Sequence, residues 1–498
     1  MRHRLDASTV VSTALSPRYT LDMAFTGTEQ LVHLDTVDHR LAHAGIDLAY
    51  VGESNRLMAR SSTGVLFEQQ VHRFSWPVLV SDVEPGPVRD HIDGAAWIRA
   101  LTSILVSEAV TTTFDVKNDD GKTVARVTWR DGVILDEASD PVEPLAEITS
   151  LRGYRADAEA VQKRLSPAVS TTTESTSWFD QVRRVLALRA APARRRPMRA
   201  GDPAAVGVAR ALVDHLSITE SLVHGVLADV DTEFLHDFRV GIRRMRSIIK
   251  LVGHVLPTEL SARSATELRW VGDITTPTRD LDVYLLGIDD LAATVSRPAD
   301  LEPFKAYLRL RRSTSKRELT IALTSTRFRN LHNELSAELA AVLEAPVRSE
   351  QTSADLAARA LRRSFRKVTT RAALITAESS GEQVHALRKT CKEVRYLLEL
   401  FRPLYAPKAY KQVVGDFKEI QDVLGDFQDA EVQAASLRTF ARDMMDGERV
   451  DADAILAMGE LATGFDRRQR VTRDTLTEHH QNYLGDRAAR HFQDMMRV

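Results

Sequence analysis

Two stretches of the chain carry the same ladder of nitrogen-bearing side chains. The first is His236-x-x-Arg239-x-x-x-Arg243-x-x-Arg246; the second is His385-x-x-Arg388-x-x-x-Lys392-x-x-Arg395. The spacing i, i+3, i+7, i+10 puts all four side chains on one face of a helix. At 1.5 Å of rise per residue such a ladder runs roughly 15 Å. Arg244 and Lys389 stand beside the two ladders. Further basic stripes are Lys305, Arg309, Arg312 and Lys316, and Arg359, Arg363 and Arg366 with Arg362 and Lys367 beside them.

Like charges at i, i+4 destabilise a helix by roughly 0.2–0.5 kcal/mol per pair. Stripes that converge on one groove cost more, because protein walls lower the effective dielectric. A multivalent anion removes that repulsion and adds charge-assisted hydrogen bonds. The planar arginine fork suits phosphate oxygens, lysine adds point charges, and histidine tunes the total near its own pKa. Bland readings exist for each element. A single basic stripe is usually a solvated helix face, and a histidine near a helix start is often a cap or a core residue. Arg246 and Arg395 could instead pair with Asp280, Asp282, Asp429 or Glu431, a network that would also orient them for binding. Phe238, Trp270, Tyr284, Tyr396, Phe401 and Phe417 are most simply core.

The ladders belong to an internal repeat. A shift of 149 residues lays His236, Arg239, Arg243 and Arg246 on His385, Arg388, Lys392 and Arg395. It also lays Asp273 on Asp422, Asp280 on Asp429, Asp282 on Glu431 and Val283 on Val432. The register holds without a gap from Ala209-Arg210-Ala211-Leu212, which falls on Ala358-Arg359-Ala360-Leu361. Two multi-helix units packed about a pseudo-two-fold axis are expected, over about 203–345 and 352–498. Apolar residues recur at three- and four-residue intervals through this half, with breaks expected near Pro257, Pro277, Pro298, Pro346, Gly381 and Pro403.

The preceding part reads as mixed α/β. Val124–Trp129 and Gly132–Leu135 are β-prone runs, and Asp131-Gly132 between them predicts a hairpin turn. Asp119-Asp120-Gly121 predicts another turn, and Asp157–Leu165 a short helix. The Pro/Arg-rich run from Leu188 to Pro203 reads as a linker. The expected domains are therefore an α+β domain over 1–185, a linker over 186–202 and an all-α bundle over 203–498.

The chain has 498 residues and a net charge of −2, so it is no generic polyanion sponge. From Gly201 onward 43 basic residues balance 43 acidic ones, and any anion affinity there must come from charge segregation. Cys391 is the single cysteine; it excludes an internal disulfide and fits a reducing cytoplasm. No apolar run reaches membrane-spanning length, and the N-terminus leads into no apolar signal core.

His236-Asp-Phe-Arg239-Val-Gly-Ile-Arg243-Arg244-Met-Arg246, followed by Thr278-Arg279-Asp280-Leu-Asp282-Val283, resembles the first half of a CHAD domain, the conserved-histidine α-helical domain. His385-Ala-Leu-Arg388-Lys389, Lys392 and Arg395-Tyr396, followed by Gln421-Asp422-Val-Leu424-Gly425-Asp426, resembles the second half. The resemblance covers about 203–498. It implies a helical bundle with internal two-fold symmetry, a basic central groove that binds inorganic polyphosphate, and no catalysis by that domain.

The N-terminal part is similar, more loosely, to the CYTH triphosphate-tunnel family. The carriers are His33-Leu-Asp35-Thr36 through Leu41, Gly45 and Leu48, then Lys117–Ala125 and Leu145-Ala-Glu147. That family's opening E-x-E-x-K is absent: the first strand reads Arg18-Tyr-Thr-Leu-Asp22-Met-Ala-Phe25. Arginines are missing after Gly45 and near Thr111–Phe114, and Glu147 alone stands where paired carboxylates would hold Mg²⁺ or Mn²⁺. A degenerate, non-hydrolytic domain is the expectation, with no catalytic residues, metal or cofactor.

The expected partner is thus polyphosphate, in the cytoplasm and at polyphosphate granules. An active triphosphatase is the alternative that a phosphate-release assay separates. Nucleic-acid binding by the same groove is disfavoured, because the stripes lack interleaved aromatics for base stacking.

Overall fold

The computed structural model describes residues 6–61, 65–72, 74–135, 141–172, 182, 197–345, 350–376, 379–447, 451–483 and 485–497. The chain divides into two compact units, Met1–Arg195 and Arg196–Val498. The expected linker falls largely outside the described residues.

The N-terminal unit is built on one sheet. Its strands are β1 (Thr20–Thr36), β2 (Asp47–Val51), β3 (Arg56–Arg60), β4 (Leu66–Gln70), β5 (Val78–Leu79), β6 (Ala100–Lys117), β7 (Thr123–Ile134), β8 (Pro141–Ser150) and β9 (Ser170–Thr172). The order is β4-β3-β2-β1-β6-β7-β8-β9, with β5 also on β6. Neighbours are antiparallel except β8 and β9. Helices α1 (Ala7–Leu15) and α4 (Arg155–Leu165) bury Val11, Leu15, Val161 and Leu165 against Phe114, Val127, Trp129 and Ile148. Helices α2 (Arg40–His43) and α3 (Pro87–Ala96) close a second core around Leu34, Leu41, Leu48, Leu57 and Ile92.

Asp119-Asp120-Gly121 does turn between β6 and β7, with Gly121 at φ +71°. Asp131-Gly132 does not turn. Strand β7 runs straight through it, Asp131 opposite Val110 and Gly132 opposite Ala109. Its pairing with β8 on the other side is irregular between Arg130 and Gly132. Long-range pairing with β6 overrode the local turn propensity.

The C-terminal unit is all-helical among the described residues. Its helices are α5 (Ala204–Ala228), α6 (Thr232–Val252), α7 (Thr258–Ala292), α8 (Glu302–Leu323), α9 (Thr326–Glu344), α10 (Ser353–Ala372), α11 (Gly381–Phe401), α12 (Pro407–Asp446), α13 (Ala452–Tyr483) and α14 (Asp486–Met495). The starts of α5 and α10, of α6 and α11, and of α7 and α12 are each 149 residues apart. Hydrogen bonds mark the pseudo-two-fold axis. Pro203 bridges its own repeat-mate Thr352. Ala204 N donates to Gln351 O at 2.9 Å and, in the mate of that bond, Ser353 N donates to Asp202 O at 2.7 Å.

Pro277 does not break the helix, contrary to expectation; α7 continues to Ala292 with the proline inside. The carbonyl that loses its helical donor is Asp273 O, four residues before the proline, and the bonds found nearby are to its neighbour. Gly272 O accepts from the hydroxyls of Thr275 (3.0 Å) and Thr276 (2.8 Å), and from Arg239 Nη1 at 3.1 Å. Gly381, expected at a break, opens α11 behind the capping residue Ser380. Pro346 lies outside the described residues.

Candidate functional site

Helix α6 starts at Asp231, whose side chain accepts from Glu233 N at 2.8 Å and Phe234 N at 3.0 Å. Its apolar stripe of Phe234, Phe238, Ile242, Met245 and Ile249 is buried in the main core. That packing turns the opposite stripe, Arg239, Arg243, Arg246 and Lys250, away from the core. Helix α11 repeats the design. Ser380 and Gln383 form a capping box, Val384, Leu387, Cys391, Val394 and Leu398 are buried, and Arg388, Lys392 and Arg395 follow on the other side. Burial pushes the Cys391 thiol up to about 12, so this cysteine is packing rather than chemistry.

The two stripes meet. A cavity of about 850 Å³ is lined by Arg243, Arg246 and Lys250 of α6 and by Lys389 and Lys392 of α11, joined by His254 and Arg269. Ser261, Ala262 and Ala265 of α7 form part of its wall, and their small side chains leave the space open. Lys392 shows how close the two repeats' charges are. Burial, then Arg388, then Arg243 from the other repeat push its ammonium down to about 8. Arg246 lies against Gly272, where an added Cβ would stand 2.3 Å from Arg246 Nη1. Neither Arg243 nor Arg246 has a carboxylate partner among the described residues.

The heads of the ladders are held elsewhere. Arg239 Nη1 donates to Gly272 O, and to Thr275 Oγ1 at 2.8 Å and Thr276 Oγ1 at 2.9 Å. Arg388 reaches Asp429 at 3.5 Å, and His385 is bonded to Gln428. His236 is half-buried; burial and then the Arg279 guanidinium hold its pKa below the ordinary value. These four position the ladder bases against α7 and α12 and do not line the cavity.

Of the remaining residues in the basic pattern, Arg359 and Arg363 line an adjoining cavity of about 500 Å³. Arg366 is exposed and lines neither. The α8 stripe is not brought to the cavity. Lys305 is paired with Asp289 at 2.6 Å and Glu302 at 2.9 Å, Arg312 with Asp229 and, at 2.8 Å, Asp282, and Lys316 donates to Leu227 O at 3.1 Å. Arg309 on that stripe is exposed.

The acidic network takes a different form from the expected one. Arg395 pairs with Glu399 on its own helix at 2.9 Å, and Arg244 reaches the same Glu399 at 3.1 Å. Asp280, raised by burial, is faced by Arg239 and Arg279. Glu431 accepts from Gln428 at 3.3 Å. Tyr396, assigned to the core by sequence, lines the main cavity instead, whereas Phe238, Tyr284, Phe401 and Phe417 are buried.

Sequence reasoning missed Lys250, His254 and Arg269. Lys250 fails the repeat test, since its mate 149 residues on is Glu399. Plain helical spacing from Arg243 and Arg246 would have found it.

In the N-terminal unit Asp35 is structural. It accepts from the backbone N–H groups of Thr36, Leu41 and Ala42 at 2.7, 2.9 and 3.1 Å, and Gly45 leaves α2 at φ +73°. Glu147 is bonded by Arg130 Nη1 at 3.3 Å. His33 is buried beside Ser107 at 2.8 Å, and burial pushes its imidazole down to about 4. Among the described residues no group of three or more His, Cys, Asp or Glu could hold a metal ion.

A helical unit with a cationic cavity between two repeats is the class that this geometry defines. The CHAD domain family matches residues 207–438, within the helical unit that follows the strand-rich N-terminal unit. Similar curated proteins are the uncharacterized proteins Rv2226 and MT2285 of Mycobacterium tuberculosis (strains ATCC 25618 / H37Rv and CDC 1551 / Oshkosh). They are 30% and 29% identical over 212 residues, 41% of this chain. The match spans 39% of each relative's length. Among solved structures, the CHAD domain of the plant Ricinus communis has a TM-score of 0.49 at 22% identity, over 59% of this chain and 95% of that one. PptA from Streptomyces chartreusis has a TM-score of 0.43 at 15% identity, over 56% and 100%. No helix among the described residues is long and apolar enough to cross a membrane.

Proposed function

We propose that the C-terminal unit binds inorganic polyphosphate in the cavity between α6 and α11, without catalysis. The observation that carries this reading is that Arg243 and Lys392, one from each repeat, share one cavity closely enough for Arg243 to depress the Lys392 pKa. Protein that holds like charges together at such cost is built for a counter-charge from outside. A chain of phosphates supplies it at regular intervals, and the CHAD family is linked to polyphosphate binding. Nucleic acid fits less well, because among the described residues Tyr396 is the one Phe, Tyr or Trp that lines the cavity.

The N-terminal unit, on this reading, is a CYTH-like scaffold without hydrolytic activity. Its surviving carboxylate, Glu147, is engaged by Arg130 at 3.3 Å. The protein would act in the cytoplasm, at polyphosphate granules.

The test is a titration of full-length protein with long-chain polyphosphate, for the wild type, Arg243→Glu and the double variant Lys389→Glu/Lys392→Glu. One shared site requires that either change abolish most binding at unchanged helicity. If each variant keeps half the stoichiometry at full affinity, the repeats hold separate sites and the reading is wrong.

A further inference from the structure

The main cavity and its 500 Å³ neighbour share Lys250, Leu251, His254 and Glu393. At their junction stands an acid clamped between two cations. Glu393 Oε1 is 2.7 Å from Lys250 Nζ, and Oε2 is 2.9 Å from Lys367 Nζ. The Glu393 side chain is 13% exposed. Beyond it, Arg359 and Arg363 of α10 line the second cavity.

The pseudo-two-fold predicts a mate for this second cavity, and one exists. A cavity of about 370 Å³ is lined by His215, Arg244, Ile248, Glu399 and Leu400. These are the 149-residue counterparts of Ser364, Glu393, Leu397, Lys250 and Leu251 in the first. The mates differ in charge. The cavity under α10 has four lysines and arginines against one carboxylate. Its mate has two arginines against one carboxylate, and one of them, Arg244, is already paired with that acid. The mate cavity touches the main one through Tyr396, which lines both, so two smaller cavities adjoin the main one and only that under α10 is strongly cationic.

We infer that a long polyphosphate leaves the main cavity on one side only, into the α10 cavity, and that Glu393 is the specificity-determining residue that sets which chain lengths gain from it. This rests on the polyphosphate reading above. A short oligophosphate is accommodated by the Arg243–Lys392 cavity and leaves the Lys250–Glu393–Lys367 clamp closed. A longer chain must pass Glu393, draw Lys250 and Lys367 off it, and reach Arg359 and Arg363. The acid therefore mutes the advantage of length that a multivalent site otherwise gives.

The experiment compares tripolyphosphate with long-chain polyphosphate on the full chain by calorimetric titration. Glu393→Gln is expected to tighten the long chain by about tenfold, the worth of one charge-assisted contact. Tripolyphosphate, held in the main cavity that Glu393 also borders, should tighten less, by no more than about threefold. Adding Arg359→Ala/Arg363→Ala should erase that gain. The arginine pair, which is exposed and not part of the core, also serves if Glu393→Gln fails to fold: on its own it should weaken the long chain and spare tripolyphosphate. Arg402→Ala, in the mate cavity, should change neither. Equal shifts for both lengths in Glu393→Gln, a gain that survives loss of Arg359 and Arg363, or a loss in Arg402→Ala matching that of the arginine pair would each overturn the inference while leaving the polyphosphate reading standing. A wild-type protein that binds neither length overturns both.

Discussion

Lys392→Met should make the free protein more stable and a poorer binder. The wild-type ammonium titrates at about 8 instead of 10.5 because it is partly buried among Arg388, Arg243 and Arg395. At 1.36 kcal/mol per pKa unit, that drop corresponds to roughly 3 kcal/mol against the charged form. Lys392 keeps some contact with water, so screening reduces the cost to about 1–2 kcal/mol. The unfolded chain holds this proton up to about pH 10.5, whereas the folded protein releases it near 8. Between those values the unfolded state binds more protons, and wild-type stability rises with pH across that window. Below pH 8 the full cost is present. Methionine keeps an apolar stem and removes the charge. The variant should therefore gain about 1–2 kcal/mol at neutral pH, visible as a rise of a few degrees in the helical unfolding transition. The gain should fade as wild type and variant converge above pH 8. Polyphosphate binding should fall about tenfold or more, the loss of one charge-assisted contact. Thermal unfolding by circular dichroism across pH 6–11, paired with titration at pH 7, checks both halves. A variant less stable at neutral pH, with no convergence on the alkaline side, would show Lys392 to be a structural cation. Unchanged affinity would show that the anion does not touch it.

Three further outcomes are expected. Binding should weaken steeply with salt, and Arg243→Gln should lower the slope of log affinity against log salt by about 1, as loss of one phosphate contact does for nucleic acids; a slope near zero in the wild type would refute a charge-built site. Arg239→Met should destabilise the fold by about 1–3 kcal/mol, because Gly272 O, Thr275 and Thr276 lose a charged donor beside Pro277; denaturation showing no loss would mean that the arginine is free for ligand. The full chain should release no phosphate from tripolyphosphate with Mg²⁺ or Mn²⁺, and turnover abolished by Glu147→Gln would reinstate a working N-terminal site.

The sequence carried the helical half well because its repeat is a strong signal. Two copies of one spacing fixed where α6 and α11 lie and which faces they turn outward. The pseudo-symmetric offset was legible to the residue. What the sequence could not carry was the fate of each cation. Lys305 and Arg312 have the same spacing as the groove residues, yet α8 packs where Asp289, Glu302, Asp229 and Asp282 absorb them. Spacing reports a shared face, not what that face meets. The N-terminal half was less legible because its sheet is made of long-range pairs. Asp131-Gly132 has turn chemistry, but β6 on one side holds the strand straight through it. Pro277 misled for a related reason: the helix penalty is local, and α7 is held on both sides of the proline by Leu268, Val271, Leu281 and Tyr284 buried in two cores.

Charge asymmetry within the symmetric frame explains how one chain makes one site. Across the axis, position 244 faces position 399 and position 250 faces position 393. The 149-residue shift exchanges these two bridges. A symmetric solution would give each helix one cation and one anion. Instead both cations, Arg244 and Lys250, are on α6, and both anions, Glu393 and Glu399, are on α11. Pairing α6 with a second α6 would set cation against cation, and two α11 helices would set anion against anion, so only the unlike halves pack favourably. The same choice places Lys250 and Glu393 together where the main cavity meets the one under α10. The contact that selects the partner helix therefore also gives the groove a direction: a cationic entrance shared by both repeats, and an acid at the one strongly basic exit.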